Sequence, residues 1–127
     1  MKNEHKATLK GILKGNKKKY QLVKEKLNDL TDQEIDQIID HLKNIENSNI
    51  EKYSIKNQLL IYMQHENPTV LKGFKDWKKE NRKPLKNTGI FIYAPIIKKE
   101  NDQKVLKGYF LTTIFDISNT VPIGDQK

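Results

Sequence analysis

Apolar residues recur at helical spacing over the first two-thirds of the chain and at alternate positions over the last third. From Asn16 to Leu30, Tyr20, Leu22, Val23, Leu27 and Leu30 fall on one helical face. Thr31-Asp32-Gln33-Glu34 then reads as a capping box, in which the Thr hydroxyl and the Glu carboxylate each satisfy a free backbone N–H. Ile35, Ile38, Ile39, Leu42 and Ile45 follow as the clearest helical stripe of the chain, with Asp32, Asp36 and Asp40 on the opposite face. Ser54 is placed to cap a third helix carrying Ile55, Leu59, Tyr62 and Met63, which Asn67-Pro68 stops. Gly73 precedes a short helical stretch from Phe74 to Glu80. Residues 1–15 alternate Lys with Leu9, Ile12 and Leu13, and Gly11 and Gly15 weaken that pattern to a loose helix or basic arm.

Beyond Pro84 the period changes. Ile90, Ile92 and Ala94 alternate with Phe91, Tyr93 and Pro95, and Tyr109 to Ile117 is rich in β-branched and aromatic residues. The polar stretch Lys98 to Lys107 lies between them, so the pattern predicts a β-hairpin with a long basic tip. Four or five helices followed by a hairpin or small antiparallel sheet make the expected class α+β. A single domain over residues 1–120 is expected, with 121–127 as a linker to a further module.

Composition narrows the function. A 127-residue chain leaves room for one domain, and 35% hydrophobic residues are enough to build a core despite a mean hydropathy of −0.80. The absence of cysteine removes disulfides, thiol nucleophiles and thiolate zinc sites together. No apolar run reaches the ~18 residues of a membrane span, and the lysine-rich start lacks a signal peptide's apolar stretch, so a cytoplasmic protein with no membrane partner is expected. Catalytic signatures are missing. His65-Glu66 begins a zinc-protease H-E-x-x-H pattern, but Thr69 stands at the second histidine position and Pro68 breaks the helix. Neither a phosphate loop nor a G-x-S-x-G elbow occurs. Asp36 and Asp40 share a helix face, where solvated acids are commoner than a metal site. The expectation is a non-enzymatic domain with no cofactor and no metal.

Charge points to a partner. The net charge of +8 is distributed in blocks: +7 over residues 1–26, −6 over 27–51, +6 over 52–86 and +1 over the remainder. Such a chain is expected to have a basic face, suited to a polyanion, and an acidic back. Arg82 is the single arginine, which argues against bidentate base reading. From Tyr53 to Lys86, the rings of Tyr53, Tyr62, Phe74 and Trp77 interleave with Lys52, Lys56, Lys72, Lys75, Lys78, Lys79, Arg82, Lys83 and Lys86. Single-stranded nucleic acid is held in this way, with cations along the backbone and rings under the bases. Phe74, Trp77, Tyr93 and Tyr109 are each open to two readings, as core or as stacking surface. Lys98, Lys99, Lys104 and Lys107 at the hairpin tip add charge on what is read as a flexible loop.

Four pieces in order resemble the N-terminal domain of the ArdC-type antirestriction proteins of plasmids and other mobile elements. They are Tyr53-Ser54-x-x-Asn57-Gln58-Leu59-Leu60, Gly73-Phe74-x-x-Trp77, Lys86-x-x-Gly89-Ile90 and Phe115-Asp116-Ile117-Ser118-Asn119-Thr120, covering about residues 50–120. The resemblance implies a single-stranded DNA-binding domain, used in antirestriction or conjugation, that commonly precedes another module such as a zinc metallopeptidase. It also implies kinship with the β-hairpin domains of excision-repair damage-recognition proteins. The chain departs from the family pattern at Lys86-Asn87, where basic–Gly is usual, and at Lys56, where Arg is common. Ser54 and Asn57 sit at a helix start, where free N–H groups attract phosphate; plain capping is the alternative for both, and Asn57 has in addition a base edge or the hairpin backbone within its options. Gly89 is read as permitting the turn into the first strand. Two other functions remain open: a protein-interaction module, and duplex DNA or RNA binding through the hairpin.

Overall fold

The computed structural model describes residues 18–124. The basic arm read over residues 1–15 and the end of the tail, 125–127, lie outside the described residues. Helix α1 covers 18–28, and α2 (Asp32–Lys43) starts at the expected capping box. There Thr31 Oγ1 accepts from the Glu34 N–H at 3.1 Å and Glu34 Oε1 accepts from the Thr31 N–H at 2.9 Å. Hydrogen bonding to the carboxylate, first from the Thr31 backbone N–H and then from the Thr31 side chain, holds the Glu34 carboxyl below the usual carboxylate range. A 3-10 turn, Ile50–Lys52, leads into α3 (Ile55–Gln64), followed by β1 (Leu71–Gly73), α4 (Phe74–Lys79) and β2 (Arg82–Pro84). The chain then runs through β3 (Ile90–Glu100) and β4 (Gln103–Asp116), a 3-10 turn at Ile117–Asn119, and β5 (Thr120–Pro122).

The fold is α+β, with helices first and antiparallel sheet after them, but two short strands interrupt the helical half. One sheet has the order β1-β4-β3 and the other pairs β2 with β5. The second sheet corrects the reading of 121–127 as linker from its start: Val121 and Pro122 face Lys83 and Arg82 across the ladder. Three-residue strands carry too little periodicity to be read from sequence.

The hairpin tip is also not a loop. Lys98↔Val105, Lys99↔Lys104 and Glu100↔Gln103 continue the ladder to a two-residue turn, where Asn101 and Asp102 take φ of 51° and 64°. Those left-handed values suit the right-handed twist of the strands, and Asn and Asp tolerate them. One register shift interrupts the ladder: Ile96 faces Gly108 and Ile97 faces Leu106, so Lys107 is the extra residue of a bulge, and Gly108 has φ 146°.

The main core gathers Ile38 and Leu42 of α2, Leu59 and Ile61 of α3, Leu71, and Ile90, Ile92 and Ile114 of the sheet. A second cluster joins Val23 of α1, Leu60 of α3 and Phe91 of β3. Thus α3 carries apolar residues into both clusters. Ile55, expected on its apolar face, is instead exposed. Asp36 and Asp40 are exposed, as is Asp32, so α2 does present an acidic outer face. Gly89 is explained differently from the expectation: a Cβ there would lie 2.5 Å from Thr113 Cγ2, so the requirement is close approach rather than a turn. The left-handed position is Asn87, φ 61°, where asparagine keeps the turn tight without glycine.

Candidate functional site

Site geometry starts from the free edge of β3. In the order β1-β4-β3 this strand would expose a row of unpaired backbone groups. Two amide side chains of α3, one at each end of the helix, cover it. Asn57 Nδ2 donates to the Tyr93 carbonyl at 2.9 Å while its Oδ1 accepts from the Tyr93 N–H at 2.8 Å. Gln64 does the same at Phe91, with both contacts at 3.0 Å. Pro95, next along the same edge, has no N–H to satisfy. Asn57 is therefore committed to the hairpin backbone, with both of its amide atoms engaged by Tyr93. Ser54 is committed as well, since its Oγ accepts from the Asn57 N–H at 3.2 Å as the helix cap.

This docking leaves a groove of about 920 Å³ between the start of α3 and the hairpin. Lys52, Tyr53, Ser54, Lys56, Asn57 and Tyr93 line one part of it, with Pro95, Ile97, Leu106 and Tyr109 further out. The rings and cations are paired. Lys56 Nζ lies 4.9 Å from the centre of the Tyr93 ring, and Lys52 Nζ lies 5.3 Å from that of Tyr53. Tyr93 packs edge-on against both Tyr20 and Tyr109, at 6.2 and 6.4 Å between centroids. Its hydroxyl also meets that of Tyr20. Burial, and then that hydrogen bond, push the Tyr93 hydroxyl up to about 12; burial followed by the Asp76 charge puts Tyr53 at about 12 too. Both rings are neutral donors through the physiological range. Lys52, Lys56 and the 60% exposed Tyr109 remain open to a ligand.

The other expected residues lie outside the groove. Trp77 is 1% exposed, and its Nε1–H donates to the Phe115 carbonyl at 2.9 Å, so it is a core residue and offers no face for stacking. Phe74, one turn earlier on α4, is 55% exposed. The six-residue helix packs on β1, β2 and β4, and this buries only the side that carries Trp77. Arg82 is also corrected: Nε donates to Thr120 Oγ1 at 2.8 Å and a terminal nitrogen to the Thr120 carbonyl at 3.1 Å, so the guanidinium staples β2 to β5. Lys78, Lys79, Lys83 and Lys86 are exposed around this second region, with Lys79 at 3.8 Å from Asp76. Lys98 and Lys99 are exposed on the outer ladder, and Lys107 pairs with Glu100 at 2.6 Å. The expected set is thus split between groove, hairpin and α4.

Sequence reasoning placed Lys52 among the cations beside Tyr53, missed Ile97 and Leu106 as lining residues, and left Tyr109 undecided. Alternation predicts one outward face, but Ile90, Phe91 and Ile92 are buried in succession, and only the position of α3 shows where along the hairpin burial stops. Among the described residues no three His, Asp or Glu side chains gather as a metal would require, and no helix is long and apolar enough to cross a membrane. His65 Nε2 is 3.3 Å from Ser118 Oγ and 3.9 Å from Asp116 Oδ2. That carboxylate is fully buried and accepts from Thr69 and Ser118, which ties the strand β4 to the segment after α3. When the chain is compared with protein-family models, with curated proteins and with solved structures, none of them matches it.

Proposed function

We propose that the chain is a non-enzymatic domain that binds single-stranded DNA largely without regard to sequence, in a protein of a plasmid or other mobile element. The observation that carries this reading is the groove at the root of the hairpin, where Tyr53, Tyr93 and Tyr109 alternate with Lys52 and Lys56. Bases of an unpaired strand stack on such rings, each worth roughly 1–3 kcal/mol, while lysines follow the phosphates. The hairpin continues the same chemistry outward through Lys98, Lys99 and Tyr109. The resemblance of four sequence pieces to the ArdC-type N-terminal domain supports the same partner and supplies the antirestriction or conjugation setting. With Trp77, Asn57 and Arg82 committed to the fold, the binding residues in this reading are Tyr53, Lys56, Tyr93, Lys98, Lys99 and Lys107, joined by Lys52 and Tyr109. Phe74, Lys78, Lys79, Lys83 and Lys86 form a secondary surface.

The test is a labelled oligonucleotide titrated as single strand and as duplex. Tighter binding of the single strand is expected, with log K falling against log salt at a slope near −3 for about four phosphates, at roughly −0.7 per contact. Equal affinity for both forms, or a flat salt response, defeats the reading.

A further inference from the structure

The two edges of the main sheet are treated differently. On β3 the outward N–H and C=O of Phe91 and Tyr93 are occupied by Gln64 and Asn57. Those bonds also fix the parity of the ladder. Because Tyr93 directs both backbone groups away from β4, Tyr93↔Leu111 is a non-hydrogen-bonded pair. Leu111 therefore directs its own N–H and C=O to the opposite side, and so does Tyr109, two residues along. Strand β1 covers that side only from Ile114 to Asp116. Among the described residues, Tyr109 and Leu111 meet no other backbone group there. Beside this open edge Leu106, Tyr109, Phe110 and Leu111 expose between 43% and 60% of their surface.

We propose that the open edge of β4 takes up an extended acidic segment of a partner protein as an added strand, lying end to end with β1. The vacant donors and acceptors give the incoming backbone its ladder, and alternate apolar side chains find Tyr109 and Leu111 on one face and Phe110 on the other. Charge selects the occupant. Lys104 and Lys107 border the same stretch, with Lys98 and Lys99 across the ladder, against Glu100 and Asp102. Edge lysines oppose pairing with a second, equally basic copy, and the same lysines attract a strand whose alternate residues are acidic. The proposal concerns backbone pairing at the edge of β4, away from the edge of β3 that α3 covers; it shares Tyr109, Lys98, Lys99 and Lys107 with the surface read as binding DNA, but its test uses peptide alone, so either reading can fail without the other.

The probe is a labelled peptide of about eight residues, alternating Glu with Val and Thr, against a control with Lys in place of Glu. Fluorescence anisotropy on the whole chain should show the acidic peptide binding at least ten times more tightly, in a saturable and salt-sensitive manner. Leu111→Pro removes only an outward N–H and should weaken binding at least ten-fold; circular dichroism checks that the hairpin persists. Should that variant fail to fold, Lys104→Glu combined with Lys107→Glu leaves the backbone intact and should reverse the preference toward the lysine peptide. Equal binding of both peptides, an unchanged preference in the double variant, or a folded Leu111→Pro that binds like the parent overturns the proposal. Sedimentation as a dimer that Leu111→Pro dissociates also overturns it, because a second copy then occupies the edge.

Discussion

At the base of the hairpin Phe91 and Ile92 are buried, and the backbone of residues 91–93 is held by two amide side chains. A few residues outward, Ile97 and Leu106 face each other in the same ladder with about half of their surface exposed. From Phe91 to Ile97 every residue is apolar or aromatic, and the polar stretch begins only at Lys98. What changes is the neighbour. The helix α3 runs along β3 as far as Tyr93, where Asn57 makes its bonds, and beyond that point the strands stand alone. Burial at the base supplies stability, and exposure beyond it supplies a surface. The bulge at Lys107 and Gly108 lies in that outer part, where the strand can bend without disturbing the core.

The comparison breaks hardest in the core that supports the base. Trp77→Ala should cost about 3–5 kcal/mol by urea or thermal unfolding, from the cavity and the lost bond to Phe115. Tyr109→Ala on the outer half should cost little and act on binding alone. A smaller effect, about 1–3 kcal/mol, is expected for Asn57→Ala, which leaves the N–H and C=O of Tyr93 without partners in a partly buried place. Asn57→Asp restores only the acceptor and should recover part of that loss. If Asn57→Ala unfolds like the parent, the helix does not pin the strand.

On the binding side, Lys52→Ala combined with Lys56→Ala should leave unfolding unchanged while flattening the salt slope by about 1.4 and weakening single-stranded DNA by on the order of 1–2 kcal/mol. Lys78→Ala with Lys79→Ala, on α4, should have the lesser effect; a larger one moves the interface from the groove to α4. The mildest expectation concerns alkaline pH. Tyr53 and Tyr93 keep their protons to about 12 in the folded chain and release them near 10 when unfolded. Their stabilising contribution is present in full below pH ~10 and is lost as pH rises from there to ~12. Tyr53→Phe should make the fall in melting temperature over that window shallower, and an unchanged slope counts against burial of the hydroxyl.

Much of this was legible from sequence, for local reasons. The capping box at Thr31–Glu34 and the stripe from Ile35 to Ile45 are contained within a few turns, and the helix formed as its pattern indicated. Ser54 capped its helix, and the antiparallel pairing of the two late strands followed from their alternation. The basic and aromatic residues around Tyr53 were recognisable as a set. Their distribution between two surfaces was not, because Trp77 and Phe74 are three residues apart on a helix too short to show which side is covered. Arg82 looked like a phosphate ligand until its partner, Thr120, was brought beside it from 38 residues away.

Periodicity, capping chemistry and charge blocks, then, are determined by the chain itself: they depend on residues within a turn or two of one another. The path of α3 along the β3 edge, the commitment of Asn57, Gln64, Trp77 and Arg82 to distant backbone and side-chain partners, and the point at which the hairpin leaves the core are decided only in three dimensions. The physical reason is that a polar or aromatic side chain takes whichever partner the fold presents to it. Burial, and hence availability to a ligand, is a property of the packed assembly of elements rather than of any one segment.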